Sequence, residues 1–81
     1  MNERIKFEGH LKVNEDRARM IRLRIEGLRD SIRDILDPLE DIADLKLDVA
    51  YEQMVELVGM WAEYKESLSK IAAAKKALGR L

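Results

Sequence analysis

The chain has 81 residues, 15 of them basic and 16 acidic, with one histidine and no cysteine. That length holds one domain with a small core. The missing thiols exclude disulfides and thiolate metal centres, and a single imidazole leaves no ordinary zinc site, so neither a metal nor a cofactor is expected. A net charge of −1 makes no global case for nucleic acid or an anionic membrane. No apolar run approaches the roughly 20 residues of a membrane span, and the opening Met1-Asn2-Glu3-Arg4 carries no signal core. A cytoplasmic protein is the expectation.

Residues 4–13 alternate polar and apolar side chains: Arg4-Ile5-Lys6-Phe7-Glu8-Gly9-His10-Leu11-Lys12-Val13. Period two predicts a short strand with one buried face. Its outward face is Arg4, Lys6, Glu8, His10 and Lys12. An unpaired strand leaves backbone donors and acceptors open, so pairing with a second copy is expected.

From Ala18 onward the apolar residues fall three and four apart. The spacing predicts helix 1 over residues 14–36, with Asn14 as N-cap, Glu15 and Asp16 in the first turn, and a stripe of Ala18, Ile21, Ile25, Leu28, Ile32, Ile35 and Leu36. Asp37-Pro38-Leu39-Glu40 reads as a turn followed by a new helix start. A competing boundary lies near Leu47, where Leu45, Leu47, Val49 and Tyr51 alternate briefly. Helix 2 is expected over residues 38–79, ending at a Gly79 cap. Its stripe is Ala43, Leu47, Ala50, Met54, Leu57, Trp61, Tyr64, Leu68, Ile71 and Leu78. A helix of about 40 residues measures roughly 60 Å, so part of it would overhang the shorter helix 1.

Charge is uneven along this layout. Residues 1–33 carry nine basic and six acidic groups, net +3. Residues 34–56 carry eight acids against Lys46 alone, net −7. Residues 57–81 carry five basic and two acidic groups, net +3. An antiparallel hairpin therefore has an acidic tip and a basic open end.

Residues 54–62 hold a single charge. Their apolar atoms cover about half the helix circumference, wider than the roughly 100° stripe a two-helix contact needs. This predicts a second interface through Tyr51, Met54, Val55, Leu57, Val58, Met60, Trp61 and Tyr64. Its occupant is either a second copy, giving a four-helix homodimer, or a partner protein's helix. The aromatic residues of this band read as interface rather than as a stacking platform for bases or a cofactor.

Other constellations are weaker. His10 has no nucleophile or orienting carboxylate nearby in sequence. The acids from Asp34 to Glu56 match no calcium loop, although as a block they suggest mimicry of DNA phosphates. Helix 1 holds six arginines, Arg17, Arg19, Arg22, Arg24, Arg29 and Arg33. These suit carboxylate pairing at the flanks of the stripe or phosphate binding. Doubled across a two-fold axis, the strand would set Arg4, Lys6 and Lys12 on a basic ribbon fit for a DNA major groove. Strand followed by two helices resembles the ribbon-helix-helix repressor plan in element order, but these helices are longer and lack that family's glycine-bearing turn.

Three segments resemble the short uncharacterised proteins of Mu-like prophage early operons: Ile5-Lys6-Phe7-Glu8-Gly9-His10, Ile25-Glu26-Gly27-Leu28-Arg29-Asp30-Ser31, and Lys75-Lys76-Ala77-Leu78-Gly79-Arg80. The resemblance implies a small accessory phage protein that acts by binding, and it carries over no functional residues. The expectation is therefore a mainly α protein. It is a long antiparallel, coiled-coil-like helical hairpin with a short N-terminal β-strand, dimerising into a four-helix arrangement. Its expected role is a non-enzymatic interaction module, with nucleic-acid binding by the ribbon and DNA mimicry by the tip as alternatives.

Overall fold

The computed structural model describes residues 3–80. Helix α1 spans Glu3–Ile35 and helix α2 spans Leu47–Ala77, joined by residues 36–46 with a 3-10 turn at Ile42–Asp44. The helices lie side by side in opposite directions, within a rod of 62 × 18 × 14 Å. The Arg24–Glu56 ion pair at mid-length and the Glu8–Arg80 pair at the open end fix that orientation.

The seam between them is a strict heptad. On α1 its members are Phe7, Leu11, Asn14, Ala18, Ile21, Ile25, Leu28, Ile32 and Ile35, each buried or half-buried, at alternating spacings of four and three. On α2 they are Ala50, Gln53, Leu57, Met60, Tyr64, Ser67, Ile71 and Ala74, followed by Leu78 at its C-cap. A period of 3.5 keeps one stripe of each helix facing the other along its whole length. At the open end Leu11, Ala74 and Leu78 form a buried cluster with Phe7 and Ile71 packed on it. Counting heptads inward from that cluster sets small Ala18 at the level of Ser67, which is only 2 % exposed.

The predicted strand over residues 4–13 is the first turns of α1. The alternation is half misleading. Phe7 and Leu11 continue the heptad backward from Ala18, whereas Ile5 and Val13 are 69 % and 65 % exposed. A helix also satisfies its backbone within itself, which a lone strand cannot do. Asn14 is consequently not a cap. It lies in mid-helix on the seam, and its Nδ2 donates to the His10 carbonyl at 2.8 Å.

The connection occupies both boundaries weighed from the sequence. Asp37 Oδ1 accepts from the Leu39 amide at 2.9 Å, and the Glu40 amide donates to the Asp37 carbonyl at 3.1 Å. Pro38 therefore takes the second position of a β-turn, where its fixed φ fits, and does not start a helix. Asp41 Oδ1 then accepts from the Ala43 amide at 3.1 Å and caps the 3-10 turn. α2 begins nine residues after Pro38, so α1 has 33 residues and α2 has 31. The expected overhang of helix 2 is absent, because the two helices match in length. Gly79 closes α2 at φ 72, with its amide on the Lys76 carbonyl, in the left-handed region that glycine enters freely.

Candidate protein-interaction surface

α2 carries a second stripe of the same period. Leu47, Tyr51, Met54, Val58, Trp61, Lys65, Leu68 and Ala72 again alternate by four and three. From Tyr51 onward each follows a seam residue by one position, so the stripe lies about 100° further round the helix. All of them are exposed. Tyr51 keeps 71 % of its surface in water and Trp61 53 %. Val55 extends the stripe on its far side and is also exposed. A heptad stripe is what a helix shows to another straight helix. α2 has two such stripes, and α1 covers only one.

The eight residues assigned from sequence to an interface divide accordingly. Tyr51, Met54, Val55, Val58 and Trp61 lie on the outer stripe. Leu57, Met60 and Tyr64 are half-buried members of the hairpin's own seam. Between the two sets runs an open apolar groove of about 310 Å³, lined by Ile25, Arg29, Met54, Leu57, Val58 and Trp61. The outer stripe is thus continuous with the core. Lys65 interrupts it chemically but not sterically, since its ammonium lies 4.4 Å from the Trp61 ring centre. That cation–π contact leaves its aliphatic stem along the stripe.

Arg19, Arg22, Arg24 and Arg29 of α1 engage carboxylates. Arg24 reaches across the seam to Glu56 Oε1, from Nη2 at 2.6 Å and Nε at 3.0 Å. Arg19 pairs with Asp16, Arg22 with Glu26 and Arg29 with Asp30 within α1. Glu26, and after it the Tyr64 hydroxyl, raise the pKa of Arg22 above its ordinary value. On α2 the Lys70 ammonium holds the Glu66 carboxyl below the ordinary glutamate range, with Arg17 adding to the effect. These are exposed pairs, which set orientation more than stability.

The strand that the basic ribbon requires does not form. Arg4, Lys6 and Lys12 are exposed on a helix. There Lys6 lies about 160° round from Arg4 and about 120° from Lys12, and Lys12 pairs with Asp16 at 3.9 Å. The basic ribbon therefore has no strand to stand on. His10 is exposed and makes a T-shaped contact with Phe7, with ring centres 6.4 Å apart. At the tip, Asp30, Asp34, Glu40, Asp44 and Lys46 line an open groove of about 700 Å³. Among the described residues no cluster of three ligating side chains is placed to hold a metal ion, and no helix is long and apolar enough to cross a membrane.

Sequence reasoning missed Gln53, Ser67 and Ala74 on the α2 seam. Gln53 lies on the α2 seam, and its Oε1 is buried without a hydrogen-bond partner. Its position three after Ala50 and four before Leu57 was the available signal. Searches of family models, of curated proteins and of solved structures return no match to this chain.

Proposed function

We propose that this protein is a non-enzymatic interaction module whose working surface is the outer stripe of α2. One observation carries the reading: a second exposed heptad on a helix whose first heptad is already occupied. Scattered exposed hydrophobics need no explanation, but a periodic, contiguous set does. The occupant is an apolar helix laid along α2, with Met54, Val58 and Trp61 as central anchors.

Trp61 is the sole tryptophan, so its emission reports the surface directly. The test compares wild type with a Met54→Lys/Val58→Lys variant, each alone and titrated with a tryptophan-free designed peptide bearing a leucine heptad. The wild type should show blue-shifted emission, either at once through self-association or upon peptide addition. The variant should stay red-shifted throughout. Red emission from wild type under both conditions refutes the proposal.

A further inference from the structure

We infer that the occupant of the outer stripe is a second copy of this chain, laid antiparallel so that the tip of each hairpin lies beside the open end of the other. The inference rests on the docking surface proposed above and adds its partner and geometry.

Three observations carry it. The first is charge. α2 begins acidic, with Asp48, Glu52 and Glu56, and ends basic, with Lys65, Lys70, Lys75 and Lys76 against Glu63 and Glu66. Antiparallel copies set each acidic half against a basic half. Parallel copies set acid on acid and base on base, which costs affinity and misdirects encounter. The whole hairpin repeats the pattern, because its net −7 segment, residues 34–56, lies between two segments of net +3.

The second is register. The large apolar residues of the stripe run from Leu47 to Leu68, with their midpoint beside Val58. A two-fold axis there closes the contact: Leu47 meets the far end of the partner's stripe, Met54 lies near the level of the partner's Trp61, and Val58 lies near its own copy. A self-complementary patch of this kind is what a two-fold dimer requires. The residues on its rim also agree, for Val55 and Ala62 fall on the same edge and exchange places across the axis.

The third is area. The exposed fractions of the stripe amount to on the order of 700 Å² per chain, taking about 150–250 Å² for each large side chain. A standard stable interface uses about 800 Å² from each partner. The surface left bare is thus of the size that one further helix pair covers.

Native cysteine is absent, so thiol cross-linking reads the orientation cleanly. Asp48→Cys and Ser69→Cys both fall at exposed positions on the rim of the stripe. Light scattering over a concentration series should give twice the chain mass. A short bifunctional thiol reagent should join Asp48→Cys to Ser69→Cys in a mixture of the two, and join neither variant to itself. Self-linking of each variant in a dimer overturns the antiparallel geometry. A single-chain mass at every concentration overturns the second copy as occupant. In that case the Trp61 emission titration separates the two ideas: a blue shift with the probe peptide leaves the docking surface standing, and no shift removes both.

Discussion

Replacing Gln53 with leucine should stabilise this protein, although it removes a polar group and adds no new contact partner. Gln53 sits on the α2 seam with its Oε1 buried and unpartnered. An unsatisfied buried acceptor costs about 1–3 kcal/mol. Leucine fills a similar volume without that cost, and its helix propensity matches that of glutamine. The expected gain is therefore about 1–3 kcal/mol. At about 4–8 °C per kcal/mol for a domain of this size, the melting temperature should rise by roughly 5–20 °C. Far-UV circular dichroism on wild type and Gln53→Leu, at one fixed concentration, measures it. Gln53→Ala serves as control, because it removes the orphan oxygen but also the packing, and should gain less than leucine or lose. A melting temperature for Gln53→Leu at or below wild type refutes the reasoning, and shows that this amide has a partner in solution.

Two further outcomes follow from the geometry. Gly59 lies inside α2 with nothing within 4 Å of where a Cβ would stand, so Gly59→Ala should add about 1 kcal/mol through helix propensity; a loss of stability on thermal unfolding contradicts an open position there. Glu66 should titrate by NMR below the ordinary glutamate value of about 4.3, and Lys70→Ala should return it toward that value, since Lys70 is the main cause of the depression. Because its folded pKa is lowered, whatever Glu66 adds to stability is present above the unfolded pKa and disappears as pH falls through the folded one. A Glu66 titration unmoved by Lys70→Ala removes the ion pair as its cause.

The hairpin is legible in the sequence because α1 obeys its pattern from Ala18 to Ile35. The N-terminus is not, for an identifiable reason. Ile5 and Val13, both exposed, alternate with Phe7 and Leu11, both on the seam, and the sum of the two sets imitates a strand. The spacing of four between Phe7 and Leu11, followed by three to Asn14, held the helical signal, but a polar asparagine on the seam concealed it. On α2 the hydrophobicity itself misplaces the stripe. Seam residues Gln53, Ser67 and Ala74 are polar or small, while Leu47, Met54, Trp61 and Leu68 on the outer side are large and apolar. A stripe drawn through the most hydrophobic residues therefore bisects two faces. The band around Trp61 looked wide because two adjacent seams overlap there. The reason for an uncovered face is angular, since two helices of matched length leave no overhang.

Two adjacent residues test this division most directly. Ser67 is buried on the inner seam at 2 % exposure, and Leu68 lies on the outer stripe at 44 %. Substituting each with lysine and measuring helicity, thermal stability and association gives opposite outcomes on this account. Ser67→Lys forces a long charged side chain between the helices and should collapse the hairpin, although the residue replaced is only a serine. Leu68→Lys should keep wild-type helicity and melting behaviour in the isolated hairpin while association weakens sharply. Unfolding by Leu68→Lys with Ser67→Lys tolerated would contradict the assignment of the two faces.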